Sequence, residues 1–278
     1  MKTFKTITET GNNLLLVDGL NMSFSFRGQT DFYKKYLEMI NSLKRSYKAD
    51  KVILCVDKGG SAYRKALYPE YKYNRKIKQD AQTDQERKDF EEFFKSFEAA
   101  LVYVAENSDY LSIRYPGVEA DDTIAYICSK FKKLGKDHIW VVSSDRDLNL
   151  LVDDNVSQFS YVTRKEFTVD NWSEHYEFSR DEYISVKCLM GDSGDNVPGV
   201  PGIGPKRAKD LVQEYGSTYD IIASLPIFSK YKYIDALNKF GADNLMLNYK
   251  LMDLVTYCDE AIGEENCRKL DLQLKEYL

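Results

Sequence analysis

The sequence predicts an α/β fold, a mostly parallel central sheet flanked by helices, and three observations lead there. Short, continuous apolar runs occur at Leu14–Val17, Lys51–Val56 and Ile139–Val142. Each is too brief for a helix and lacks the alternation of a half-exposed strand, as expected for strands buried on both faces. Helical periodicity fills the intervals, and strand–helix–strand order gives parallel neighbours. Each run is followed within a few residues by an aspartate: Asp18, Asp57 and Asp145.

Taken in order, residues 1–13 are polar and read as loose. After the first strand, Tyr33, Tyr36, Leu37, Ile40, Leu43 and Tyr47 recur at helical spacing and predict a helix over 32–47. The second strand leads into a long polar stretch, 58–98, rich in Lys, Arg and Tyr, with a charge-patterned helix near 84–98. Ile124, Ile127, Cys128, Phe131 and Leu134 predict a helix over 120–134, with Gly135 as its stop. Trp140, inside the third run, reads as core, and His138 just before it as a surface or interface side chain. After residue 186 the chain becomes Gly/Pro-rich and then helical. The expected division is a core at 1–185, including the basic segment, and a helical region at 186–278 that packs on it.

Composition narrows the classes. Hydrophobic residues make up 43%, enough for a core. The longest aliphatic run cannot cross a membrane, and no secretory signal is visible. Five cysteines without a C-x-x-C pair argue against zinc and suit a reducing cytosol. Two histidines leave little scope for histidine catalysis. The net charge of −5 is misleading, because nine acids fall in tight motifs. Setting those nine aside leaves 35 acids against 39 bases, a basic surface around an acidic pocket.

Those nine acids carry the chemistry. In open α/β sheets ligands sit beyond the carboxyl ends of the strands, so Asp18, Asp57 and Asp145 arrive together at one edge. Capping would explain one such aspartate, but three clustered carboxylates are costly without a cation. Glu119, Asp121 and Asp122 crowd one helix start, more acids than a cap requires. Asp147 adds to Asp145, and Asp192 and Asp195 share a glycine-containing turn. All-oxygen donors point to Mg²⁺ or Mn²⁺, and their number to two ions. No segment has EF-hand spacing. A haloacid-dehalogenase-type phosphatase would need an aspartate where Leu20 stands.

The ordered motifs Val17-Asp-Gly-Leu-Asn21, Asp57 with Arg64, Pro69-Glu-Tyr-Lys-Tyr-Asn-Arg75, Gly117-Val-Glu-Ala-Asp-Asp122, Ser144-Asp-Arg-Asp147, Met190-Gly-Asp-Ser-Gly-Asp-Asn196 and Gly199-Val-Pro-Gly-Ile-Gly-Pro-Lys-Arg207 resemble the 5′-nuclease superfamily. That superfamily comprises flap endonucleases and the 5′-nuclease domains of bacterial DNA polymerases. The length is most similar to the free-standing phage-encoded enzymes. The resemblance implies a helical arch over the active site and a helix–three-turn–helix that grips duplex DNA. It implies a first metal on Asp18, Asp57, Glu119 and Asp121, with Asp122 joining or bridging to the second group. A second metal falls to Asp145, Asp147, Asp192 and Asp195.

Substrate contacts follow. Arg75 and Lys72 suit the scissile phosphate, Tyr71 a base near the cut, and Arg64 the DNA. Gly202 and Gly204 let backbone amides approach a phosphate at a helix start, beside Lys206 and Arg207. The resemblance adds a K⁺ ion on backbone carbonyls there. The expected activity is Mg²⁺-dependent 5′→3′ exonuclease and flap cleavage of branched or 5′-ended DNA, by a cytoplasmic monomer without membrane partners. Two alternatives stand beside it: a ribonuclease acting on RNA·DNA hybrids, and a non-catalytic junction-binding protein.

Overall fold

The structure, a computed structural model, describes residues 11–278. The loose segment expected at 1–13 therefore lies mostly outside the described residues. Chain contacts divide the protein into two units. The first comprises the stretch through Tyr63, Gln82–Val169 and Leu254–Leu278; the second comprises Arg64–Ala81 and Asp170–Asp253. This differs from the expected cut at 185. The last 25 residues belong to the first unit because Leu254, Cys258, Ile262, Leu270 and Leu274 are buried in its core. Arg64–Ala81 belongs to the second because Tyr71 packs with Cys188, Val197, Leu251 and Met252.

The first unit is built on a six-stranded sheet: β1 (Asn13–Asp18), β2 (Ala49–Cys55), β3 (Leu111–Ile113), β4 (Ile139–Val142), β5 (Val156–Ser160) and β6 (Lys165–Phe167). Their spatial order is β3-β2-β1-β4-β5-β6, parallel except where β6 pairs with β5. β1 lies centrally, and its register sets Asp18 opposite Cys55 and Val17 opposite Val142.

The unbroken apolar runs have the expected cause. Leu14 and Leu16 face helix Ala120–Ser129 and the C-terminal helices Leu254–Ile262 and Glu264–Tyr277. Leu15 and Val17 face helices Phe32–Ser46 and Asp84–Asn107. All four side chains have no exposure, each burial contributing about 1.5–3 kcal/mol. Trp140 is core, as expected. The basic stretch 58–98 is not uniform. Its last helix starts at a Thr83/Glu86 capping box and runs on to Asn107, burying Phe93, Phe97, Ala100 and Val104. His138 is a correction: it is buried, hydrogen-bonded to the Ser157 hydroxyl at 3.0 Å, and its pKa falls to about 4 through burial. No helix among the described residues is long and apolar enough to cross a membrane.

The second unit has a helical core of Val186, Leu189, Leu211, Val212, Ile221, Leu237 and Leu245. Helix Tyr183–Met190 ends where Gly191 and Gly199 bring two backbones together. A Cβ on Gly199 would stand 1.9 Å from the Met190 carbonyl oxygen, so only glycine fits.

Candidate active site

The acid cluster of the first unit starts from β1. Asp18 is its last residue and N-caps helix Gly19–Ser23, accepting from the Asn21 amide at 3.2 Å. The Ser143 hydroxyl, just past β4, donates to its other oxygen at 2.8 Å. Asp18 is 6% exposed. Burial first, then the charge of Asp57, push its pKa up to about 8; Asp145 adds to the rise, and the Ser143 and Asn21 hydrogen bonds oppose it. Three strand-end aspartates are thus electrostatic neighbours.

Asp57 ties that edge to the next acids. Its carboxylate accepts the Ala120 amide at 2.9 Å, at the start of helix Ala120–Ser129. Glu119 is the buried N-cap of that helix, and Asp121 and Asp122 sit in its first turn, where the dipole favours negative charge. Asp121 is partly exposed. Asp122 has no exposure and lies near enough to Cys258, on the core side, to help raise that thiol's pKa. One residue past Asp121, Asp122 lies about 100° further around the helix, so the expected role of joining or bridging the second group falls to a side chain with no exposure.

Asp145 and Asp147 form a compact turn. The Asp147 amide donates to the Asp145 carboxylate at 2.9 Å, and the Asp145 amide to the Ser143 hydroxyl at 3.1 Å. Gln158 of β5 anchors this turn from below, donating to the carbonyls of Ser143 (2.9 Å) and Asp145 (2.6 Å), and Asn149 holds the Gln158 amide oxygen at 2.6 Å. Asn21 accepts the Ser144 amide at 2.9 Å, and the Tyr161 hydroxyl bonds to the Asn21 carbonyl. Sequence reasoning missed Ser143, Asn149, Gln158 and Tyr161; for Asn21 and Ser143 the only available signal was adjacency to the motif aspartates. Among the described residues, no three acids, cysteines or histidines already close on one point as a cage. Asp18, Asp57 and Asp145 are instead each engaged by a backbone amide: those of Asn21, Ala120 and Asp147.

In the second unit the Asp192–Asn196 turn is fixed by the Asp192 carboxylate, which accepts the amides of Gly194 (2.7 Å) and Asp195 (3.3 Å) and lies 3.6 Å from Lys187 Nζ. Asp195 is held by the basic segment: Arg75 at 2.7 Å, Lys72 at 3.6 Å and the Tyr71 hydroxyl at 2.9 Å. Burial alone would raise its carboxyl, but Lys72 and Arg75 outweigh that and hold it below the usual range. The Lys72 amide also donates to the Asp195 carbonyl at 2.9 Å, and Asn74 to the Ser193 carbonyl at 2.7 Å.

Two of the expected DNA contacts are corrected. Tyr71 is 4% exposed with its hydroxyl on Asp195, so its ring is core rather than a base-stacking platform. Arg64 is 3% exposed and its Nε donates to the Leu251 carbonyl at 2.8 Å, a packing role. Gly202 has a positive φ, and Gly204 precedes helix Pro205–Tyr215, which carries Pro205 in its first turn. Lys206 and Arg207 are exposed there; Arg207 donates to the Gly202 carbonyl at 2.6 Å and lies over the Tyr233 ring at 4.6 Å.

The fold and the site define a class: an α/β protein whose parallel sheet gathers carboxylates beyond its carboxyl edge. The comparisons make this specific. Residues 13–177 match the 5′-3′ exonuclease N-terminal resolvase-like domain, and residues 178–274 the 5′-3′ exonuclease C-terminal SAM fold. The chain is 40% identical to the flap endonuclease of Escherichia phage T5 over 270 residues, covering 96% of this chain and 91% of that protein. It superposes on the crystal structure of T5 D15 protein co-crystallized with metal ions with a TM-score of 0.90, at 38% identity, over 96% of this chain and 99% of that one. The T5 D15 flap endonuclease in a pseudo-enzyme–product complex with DNA and metal ions gives 0.91, at the same identity and coverage. The chain belongs to the 5′-3′ exonuclease family.

Proposed function

We propose that this chain is a structure-selective 5′ nuclease that hydrolyses DNA phosphodiesters at 5′ flaps and 5′ ends, with two Mg²⁺ ions replaceable by Mn²⁺. One observation carries the reading: Asp18, Asp57 and Asp145, from three parallel strand ends, share one electrostatic environment, in which burial first and then the two neighbouring charges push Asp18 toward its protonated form. Such clustering is costly unless cations neutralise it, and the oxygen-only donors fit hard ions. Bound divalent ions supply an activated water and stabilise the leaving oxygen, so no protein general base is required.

The residues divide the remaining work. Asp18, Asp57, Glu119 and Asp121 would hold the first ion, and Asp145 and Asp147 would contribute to the second. Asp192 and Asp195 keep the second-metal role that the resemblance gives them. Lys72 and Arg75, occupied by Asp195 here, can exchange that carboxylate for a phosphate oxygen as negative charge develops. Lys206 and Arg207 would contact the phosphates of the duplex arm, with the amides beside Gly202 and Gly204 and a K⁺ on nearby carbonyls. The free cysteines suit a reducing cytosol, and the protein would act as a monomer.

The test is Asp145→Asn with a labelled 5′-flap DNA and Mg²⁺. Cleavage falls by at least about 10³-fold while the circular dichroism spectrum is kept, in line with the loss of a key electrostatic group. Cleavage at the wild-type rate would overturn the assignment.

A further inference from the structure

We propose that a cleft on the first unit, distinct from the acid site, docks an acidic peptide segment of a partner protein that presents a large apolar side chain beside its carboxylates. The cleft holds about 340 Å³ and is formed where the Lys130–Leu134 turn meets the final helix, Glu264–Tyr277. Its apolar lining is Leu134, Leu274 and Leu278; its cations are Lys130, Lys133 and Lys275.

The three cleft lysines are not drawn off by neighbouring acids, whereas some other bases of this region are: Lys136 pairs with Asp50 at 2.6 Å, Lys269 with Glu265 at 2.6 Å and Arg268 with Glu264 at 3.6 Å. Lys130, Lys133 and Lys275 make no ion pair among the described residues. Asp271, the one acid on the cleft wall, accepts the Tyr126 hydroxyl at 3.0 Å, and its single negative charge leaves the three lysines in excess. Lys130 is placed by the Tyr126 ring, 4.3 Å from its centroid, rather than by a carboxylate.

The complement of this surface follows from its chemistry. Three cations around leucines call for carboxylates flanking an apolar side chain, and the volume suits one or two such side chains. Nucleic acid fits less well. Its phosphates would meet the lysines, but the lining has no aromatic ring on which a base could stack. The nuclease machinery uses none of these residues, so the surface would tether the enzyme to a partner without changing its chemistry.

The experiment uses the full chain and fluorescence anisotropy. The probe is a labelled hexapeptide amide of four aspartates followed by leucine and phenylalanine. Saturable binding is expected, weakened at least tenfold by Lys133→Glu/Lys275→Glu and by replacing the peptide's leucine and phenylalanine with serine. Flap cleavage by the double variant stays at the wild-type rate, which also shows that it is folded. Undiminished binding to the double variant would overturn the proposal. So would equal affinity for the serine peptide, or preferential binding of a six-nucleotide single strand that the double variant loses.

Discussion

Replacing Asp18 with Asn isolates the electrostatics of the Asp18–Asp57–Asp145 group. In the metal-free protein its pKa rises from 3.8 to about 8, with 6% exposure. A raised folded-state pKa means that stability is fully present below the unfolded value and is lost as pH rises through the folded one. Between about pH 4 and pH 8 the folded state holds a proton that the unfolded state has released. At pH 7.5 that gap spans about 3.7 units, or ~5 kcal/mol at 1.36 kcal/mol per unit. An amide at position 18 also loses part of what the Ser143 and Asn21 hydrogen bonds give the carboxylate, so the substitution recovers about half, ~2–3 kcal/mol. At roughly 2–4 °C per kcal/mol, metal-free Asp18→Asn melts about 5–10 °C above the wild type at pH 7.5, with the difference gone or reversed near pH 4. Addition of Mn²⁺ inverts the order: the wild type gains stability by mass action and the variant gains much less, while its cleavage is lost. Differential scanning fluorimetry across pH, with and without Mn²⁺, reads all of this. If Asp18→Asn melts below the wild type by the same margin at both pH values and keeps the full Mn²⁺ shift, the account of these three acids is wrong.

Four further outcomes follow from the geometry. Gln158→Leu removes the donor from the Ser143 and Asp145 carbonyls; it costs about 2–4 kcal/mol and weakens Mn²⁺ binding about 10–100-fold, as calorimetric titration would show. Tyr71→Phe deletes a buried hydrogen bond to the Asp195 carboxylate, a loss of about 1.5–3 kcal/mol in urea unfolding. Because Asp195 is held below its ordinary pKa, its contribution is present at neutral pH and fades as pH falls below about 4, and Arg75→Ala shrinks that acid limb while lowering kcat/KM about 10²-fold. Gly199→Ala drives a methyl into the Met190 carbonyl and lowers the melting temperature by more than about 10 °C, or prevents soluble expression.

The parts legible in the sequence are those with local causes. β1, β2 and β4 announce themselves because burial on both faces leaves an unbroken apolar run, and Asp18, Asp57 and Asp145 stand out because a strand's end is a local event. Gly135, with its left-handed φ, closes the helical segment where expected. What escaped depends on partners distant in sequence. β3 and β6 have three residues each and are defined by their neighbours' hydrogen bonds. Arg64 and Tyr71 carry the composition of a nucleic-acid surface, yet a carbonyl 187 residues away and a carboxylate 124 residues away draw them inward. Gln158 looks like any polar strand residue until the Asp145 turn folds against it. The expected cut at 185 follows the change in composition and lies near the join of the two family matches, whereas the packing of the last helices depends on where their leucines are buried.

The interleaved make-up of the first unit bears on how the protein is born. A ribosome delivers β1 through β6 early, yet Leu254, Cys258, Ile262, Leu270 and Leu274, which share their core, emerge only after the whole stretch Asp170–Asp253. Until they do, the layer formed by helix Ala120–Ser129 is only partly covered, with the Asp18–Asp57–Asp145 group resting on an unfinished foundation. A nascent chain halted near residue 250 would be a client for chaperones rather than a nuclease at work on a template.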